Sequence, residues 1–308
     1  MTRRVPELSL KQFTAGDSRA RRAFADAFAA GLRDYGFVVL TEHEIAPAVL
    51  DEAYRLAVEV FALPDATKRR YAGGLRGYTP FGVEHAKDNK LPDLKEFWQI
   101  GHEPEPGAPP NPFSAPNVWP EAPAAFEAAF TRLFADLNET GCTLLRALAP
   151  SLDLPEDYFE PLVRRGDSVL RVLHYPPVPP DADPNAVRSA AHEDINLLTI
   201  LVAAKGKGLE LLDRDGAWLP IVTEANALIV DSGDMMARLT NNVIPATTHR
   251  VINANPHNSR YSMPFFMHPT AETSLACLPA CVGQGARYPA ITAGEFLTER
   301  LKEIGLAR

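Results

Sequence analysis

Cysteine is scarce: Cys142, Cys277 and Cys281 are the only three in 308 residues. Three is too few, and odd, for a disulfide framework, so a reduced, cytoplasmic setting is the expectation. Cys277 and Cys281 have no further cysteine or close histidine to complete a metal set, and they read as ordinary loop or core thiols. An excess of basic charge is also missing. The net charge is −8 and the pI about 5.5, which leaves no basic face for a nucleic acid. Met1-Thr2-Arg3-Arg4-Val5-Pro6 is positively charged but no apolar segment follows it, so neither a signal peptide nor a membrane span is expected. No repeated βαβ unit, no glycine-rich phosphate loop and no internal repeat is visible, which argues against a Rossmann fold.

What is there is an ordinary globular composition, 46% hydrophobic and 23% charged, in a chain long enough to bury a large core. Asp17-Ser18 offers an N-cap for a helix whose Phe24, Phe28, Leu32 and Tyr35 recur at helical spacing. Gly36 stops it, and Phe37-Val38-Val39-Leu40 reads as a short buried strand. A second helix is expected from Pro47 to Phe61, with Leu50, Tyr54, Val58 and Phe61 facing inward, and a short third one follows Leu63-Pro64. Glycine, proline and aromatics between Arg76 and Glu84 suggest a loop with an apolar side, in which Tyr78 and Phe81 either face a pocket or seal the core. From Glu103 to Pro123 prolines forbid regular structure, and Pro109 and Pro110 belong to this surface excursion. The longest helix runs from about Ala122 to Ala149, with an apolar band from Phe126 to Leu148 that makes it a brace along one side of the molecule.

After Ser168 the period changes to two. Short strands are expected at 168–175, 195–202, 208–212, 218–222 and 227–231, separated by turn residues such as Arg214-Asp215-Gly216 and Ser232-Gly233-Asp234. The class is α+β, with an antiparallel sandwich or jelly roll at its centre. A last helix, Glu295 to Ile304, presents Phe296, Leu297, Leu301 and Ile304 for docking on that core.

The chemistry concentrates in three places. His192-Glu193-Asp194 carries a histidine and a carboxylate two residues apart, so a strand end or tight turn can aim both at one metal while Glu193 faces away. His249 lies in the β-branched run Pro245 to Ile252, supported by Arg250 and Asn253. Beyond it, Arg260 and Ser262 share one face of a further expected strand, a guanidinium fork beside a hydroxyl that suits a carboxylate. Two imidazoles and one carboxylate form the facial set that leaves adjacent positions open on ferrous iron. Apolar Leu198, Ile200, Leu209, Phe265 and Phe266 are candidates to shield such a centre from water.

This ordered set resembles the isopenicillin N synthase-like branch of the Fe(II)- and 2-oxoglutarate-dependent dioxygenases, and the resemblance runs from Val5 to about Pro269. It implies a double-stranded β-helix core braced by the N-terminal and long central helices. Residues 1–115 would be an N-terminal mixed region and residues 116–308 the oxygenase core with its C-terminal helix, the two forming one compact unit. It implies that His192, Asp194 and His249 bind Fe(II), and that 2-oxoglutarate chelates the metal and meets Arg260, Ser262 and Tyr175. Dioxygen would then drive hydroxylation, desaturation or cyclisation of a small organic substrate through a ferryl oxygen, releasing succinate and carbon dioxide, with ascorbate as a stimulant. Lys95-Glu96 resembles a recurrent pair of the family, read here as structural. Tyr78, Phe81 and Phe266 are the candidate substrate residues. Leu173 stands where plant members often carry asparagine, so one polar contact to the co-substrate is absent.

Other readings compete. An oxidase of the same fold that dispenses with 2-oxoglutarate, of the isopenicillin N synthase or aminocyclopropane-carboxylate oxidase type, keeps the same arginine and serine. A non-catalytic jelly-roll binding protein would hold metal or ligand without consuming oxygen, and a zinc hydrolase lacks a spare general base at the right spacing. The expected partners are a small-molecule substrate, with no nucleic acid and no membrane, and the expected state is a monomer or weak homodimer.

Overall fold

The Asp17 side chain accepts a hydrogen bond from the Ala20 amide at 2.8 Å and opens the first long helix, and Gly36, at φ 69°, ends it in the left-handed region that glycine enters without strain. The computed structural model describes residues 5–86, 91–107, 111–224 and 226–304. The basic Met1–Arg4 start, and Pro109 and Pro110 of the proline-rich excursion, lie outside the described residues.

The chain runs β1 (Glu7–Ser9), α1 (Lys11–Thr14), α2 (Ser18–Tyr35), β2 (Phe37–Thr41), α3 (Pro47–Phe61), α4 (Asp65–Arg69), β3 (Gly77–Thr79), β4 (Glu96–Gly101), α5 (Phe126–Leu148), α6 (Glu160–Val163), β5 (Val169–Tyr175), β6 (Ser189–His192), β7 (Leu198–Lys205), β8 (Leu209–Leu212), β9 (Trp218–Pro220), β10 (Leu228–Ser232), α7 (Asp234–Leu239), β11 (His249–Val251), β12 (Arg260–Met267) and α8 (Ala293–Glu303). Among the described residues these strands form two sheets: eight in the order β1-β2-β10-β7-β12-β5-β4-β3 and four in the order β6-β11-β8-β9. Their pairings are antiparallel except that of β1 with β2. Strands of the N-terminal segment complete both flanks of the larger sheet, β2 beside β10 and β4 beside β5.

Alternation along the strands divides the larger sheet into two faces with different tasks. Leu170 and Val172 of β5, Leu198, Ile200 and Val202 of β7, Leu228 and Val230 of β10, and Met263, Phe265 and Met267 of β12 join the core built on α2, α3 and α5. The alternate residues Leu173, Tyr175, Leu201 and Ile229 join Leu209, Leu211 and Val251 of the smaller sheet in a second apolar cluster. Leu198, Ile200 and Phe265 therefore pack away from the chemistry, contrary to expectation, because they share parity with the helix-facing residues. Leu209 and Phe266 lie on the other side as expected.

The long helix α5 carries the predicted band, with Phe126, Phe130, Leu133, Leu137, Leu144 and Leu148 all fully buried. It begins at Phe126 rather than Ala122, after the Pro120 and Pro123 stretch, and passes into a single tight turn at Ala149–Leu152. Four further expectations are corrected. Val58 is 43% exposed, since Leu50, Tyr54, Ala57 and Phe61 already make the inward face of α3. The segment around Tyr78, read as a loop, is β3, which pairs with β4. Strand β7 begins at Leu198 rather than Ile195. The carbonyls of Asp194, Ile195 and Asn196 accept the first amides of α7, a helix not foreseen, and so are withdrawn from a ladder. The run from Pro245 to Ile252 contributes only His249–Val251 as strand.

Phe130→Ala is expected to cost about 3–5 kcal/mol of unfolding free energy, as a cavity opens beside Phe126. Val58→Ala is expected to change it by less than about 0.5 kcal/mol. Urea denaturation of the two variants measures both.

Candidate active site

His192 closes β6 and His249 opens β11, and the two are direct cross-strand partners in the smaller sheet, with ring centroids 4.4 Å apart. Asp194, in the turn that follows β6, places Oδ1 3.7 Å from His192 Nε2 and 3.8 Å from His249 Nε2. The three ligand atoms lie within 4.8 Å of one another. Each imidazole is oriented by its other nitrogen. His192 Nδ1 is 2.7 Å from the Ala190 carbonyl and His249 Nδ1 is 3.2 Å from that of Thr247. A carbonyl can only accept, so both Nδ1 atoms carry the proton and both Nε2 lone pairs face Asp194.

The carboxylate is oriented as firmly. Thr199 Oγ donates to Asp194 Oδ2 and itself accepts from Asn196 Nδ2 at 2.9 Å. Gly233 touches this turn so closely that a Cβ would lie 2.6 Å from the Asp194 carbonyl and 2.5 Å from that of Asn196. Burial holds His249 at about 4, with His192 adding to the effect, so its ring is neutral, as a metal ligand must be. Burial and the adjacent Asp194 carboxylate push the Asp231 carboxyl well above its usual range. Two neutral imidazoles and one carboxylate suit a divalent iron ion, which these three residues can hold with positions left for other ligands.

On the inner side of this triad, between the sheets, a small cavity of about 70 Å³ is bordered by Tyr175, Leu173, Leu201, Leu209, Arg260 and Ser262. Arg260 and Ser262 alternate onto this face of β12 as predicted, and both are buried. The Arg260 guanidinium lies 5.0 Å from the Tyr175 ring centroid, and its Nε and Nη1 have no hydrogen-bond partner among the described residues. Such donors are rarely left unpaired in an interior. A carboxylate seated there would satisfy them.

On the outer side a cavity of about 500 Å³ opens, and His192, Asp194, Lys95, Arg171 and Phe266 border both spaces. Its walls include Leu75, Gln99, Phe113 and His268, and Leu297, Leu301 and Ile304 at the C-terminal end of the chain. A buried ionic group forms one wall. Lys95 Nζ lies 2.6 Å from Glu84 and 2.8 Å from Asp93, and Arg171 Nη1 lies 2.9 Å from Glu84. Burial pushes Glu84 upward, but Arg171 and Lys95 outweigh it and hold the carboxyl down at about 2. The Arg171 guanidinium lies 4.2 Å from the Phe97 centroid and 5.3 Å from that of Phe266.

Not every predicted residue is brought to the site. Tyr78 is buried beside Trp98 with its hydroxyl donating to Glu96, and neither Tyr78 nor Phe81 borders either cavity. Phe266 borders both. Glu193 does not turn wholly away: it borders the outer cavity and accepts from Thr248 Oγ at 3.0 Å. Thr199, Asp231, Gly233 and Arg171 went unrecognised, although Thr199 is visible as the polar residue on the inward parity of an apolar strand. Arg250 and Asn253 support their strand as expected, the first paired with Glu210 at 2.8 Å and the second bonded to the Ala186 carbonyl at 2.9 Å. No helix among the described residues is long and apolar enough to cross a membrane.

Two histidines and an aspartate gathered beside a buried arginine without an acid, inside a two-sheet barrel, are the arrangement expected of a non-haem iron oxygenase of the double-stranded β-helix type. Two family models match the chain: "non-haem dioxygenase in morphine synthesis N-terminal" over residues 5–122 and "2OG-Fe(II) oxygenase superfamily" over residues 166–269. The 2-oxoglutarate-Fe(II) type oxidoreductase hxnY of Emericella nidulans is 31% identical, over 97% of this chain and 89% of its own length. A 2OG-Fe(II) oxygenase family protein of Caulobacter crescentus is 44% identical with a TM-score of 0.86, covering 97% of this chain and 98% of that one. A full-length Neurospora crassa protein, crystallised in complex with alpha-KG and thymine, is 27% identical, also with a TM-score of 0.86, covering 97% and 96%. The chain belongs to the Fe(II)/2-oxoglutarate-dependent dioxygenase family, in its isopenicillin N synthase-like branch, and is an oxidoreductase that uses iron and 2-oxoglutarate.

Because Glu84 is held far below its ordinary 4.5, its stabilisation is complete above that pH and is lost as the pH falls toward 2. Glu84→Gln is therefore expected to destabilise the protein at neutral pH by about 3 kcal/mol. The gap from wild type should close through the same acid window when unfolding midpoints are followed against pH. Gly233→Ala is expected to weaken metal binding in an anaerobic Fe(II) titration while leaving the far-UV spectrum unchanged.

Proposed function

We propose that His192, Asp194 and His249 hold Fe(II), that Arg260 and Ser262 receive the far carboxylate of 2-oxoglutarate in the inner cavity, and that a small organic substrate is oxidised in the outer one. The observation that carries this reading is the buried Arg260 fork, with two unpartnered donors facing the same inter-sheet space as the triad. Tyr175 flanks the guanidinium, and Leu173, Leu201 and Leu209 keep water from the carboxylate it binds. Bound iron supplies the oxygen chemistry, in which 2-oxoglutarate and dioxygen yield succinate and carbon dioxide as one oxygen atom is transferred to a C–H bond.

The protein's own part is orientation. The Ala190 and Thr247 carbonyls and the Thr199 hydroxyl hold the three ligand side chains in place before metal arrives, so little reorganisation accompanies binding. Phe266, at the junction of the two cavities, separates co-substrate from substrate and presents an apolar surface to the C–H bond. The substrate class is supported by the size of the outer cavity and by the thymine complex of the Neurospora relative.

His192→Ala and Asp194→Ala are expected to abolish Fe(II) binding and 2-oxoglutarate turnover, with succinate release as the measurement. Undiminished release by either would refute the triad. Arg260→Ala is expected to weaken 2-oxoglutarate binding by about 2–5 kcal/mol, read from the metal-to-ligand charge-transfer band of the oxygen-free protein. An unchanged affinity would remove Arg260 from the site.

A further inference from the structure

A second buried guanidinium stands behind the first. Arg188, immediately before β6, is 1% exposed, as is Arg260, and neither makes an ion pair among the described residues. Arg188 Nη2 donates to the main-chain carbonyls of Asn255, at 3.1 Å, and Asn258, while its Nε has no partner. Those carbonyls belong to the loop that enters β12, and Asn258 is only two residues from Arg260. Arg188 does not itself border the inner cavity; its hydrogen bonds to that loop, two residues short of Arg260, are what bring the two buried cations together, and burial with repulsion from Arg260 lowers the Arg188 pKa. Tyr175 lies under the Arg260 guanidinium, its ring centroid 5.0 Å away.

Neutral hydrogen bonds to carbonyls do not offset the cost of burying a cation, and two neighbouring cations without an acid are worse than one. The arrangement is relieved when an anion with a full negative charge enters between the sheets. On β5 the side chain facing that space before Tyr175 is the apolar Leu173, which offers a carboxylate no hydrogen bond.

We propose that Arg188 is a positioning residue and second electrostatic determinant of the co-substrate site. It clamps the Asn255–Asn258 loop so that Arg260 enters the strand in place, and it adds positive potential that favours a 2-oxo acid with an ionised far carboxylate over one without. This inference rests on Arg260 being the carboxylate anchor, as proposed above.

The test is calorimetric binding to the Fe(II)-loaded, oxygen-free protein of 2-oxoglutarate and of 2-oxopentanoate, which has a methyl group in place of the far carboxylate. Arg188→Met should weaken 2-oxoglutarate at least about tenfold while shifting 2-oxopentanoate less than about threefold, and Arg188→Lys should recover most of the loss because the charge is kept. Equal losses for both acids would mean a merely structural clamp and overturn the inference, as would a lysine variant no better than methionine. Arg260→Ala gives an independent check that leaves Arg188 untouched: a residual preference for the dicarboxylate supports the second cation, and complete loss of preference overturns it. If the wild-type protein does not bind 2-oxoglutarate, the anchor and this inference both fail. If it binds and prefers the dicarboxylate, and Arg188→Met keeps that preference, only the role of Arg188 fails.

Discussion

The pairing of His192 with His249 across two short strands of the smaller sheet is the constraint on which the rest of the molecule depends. An imidazole can turn about two bonds, and in a loop either nitrogen could face the interior. Here the carbonyls two residues upstream, Ala190 and Thr247, each accept from Nδ1 and leave Nε2 pointing at Asp194. The same local geometry, used twice, converts two flexible side chains into a preorganised pair. Asp194 completes it because its turn is tied to α7, whose first amides bond the Asp194, Ile195 and Asn196 carbonyls.

Around that pair the larger sheet works as a partition. Its even and odd residues cannot both face the same side, so the strands that bury Leu198, Ile200, Val202 and Phe265 against the helices must present Thr199, Leu201 and Phe266 to the metal side. The helical core can thus be large and fully apolar without intruding on the chemistry. The N-terminal segment shares in this division: β2 extends the sheet on one flank, and β4 carries the residues next to Lys95 on the other.

Charge pairing differs among the cations that border the cavities. Those shared by both, Lys95 and Arg171, already have partners, Lys95 with Glu84 and Asp93, and Arg171 with Glu84. The inner one is bordered in addition by Arg260, a guanidinium without an acid, and Arg188, likewise without one, is buried against the loop that enters β12. A charge that is neutralised within the fold shapes a surface, whereas one that is not selects a ligand.

Much of this was legible in the chain itself. The His-x-Asp pair, the distant His249 and the Arg260–Ser262 alternation depend on residue type and period, which a linear reading carries, and the apolar bands of α2 and α5 follow from helical spacing in the same way. Which apolar residues face the metal was not legible, because Leu198 and Phe265 are chemically indistinguishable from Leu201 and Phe266 until strand parity is tied to a particular neighbour. The role of Tyr78, bonded to Glu96 rather than turned to a cavity, and the bonding of Arg188 to the loop that leads into Arg260 likewise arise only from contacts between segments far apart in sequence. The sequence by itself determined the donor atoms available for metal and carboxylate. Only the tertiary structure decided which buried charges found a counter-charge within the protein, since that depends on distances that folding alone creates.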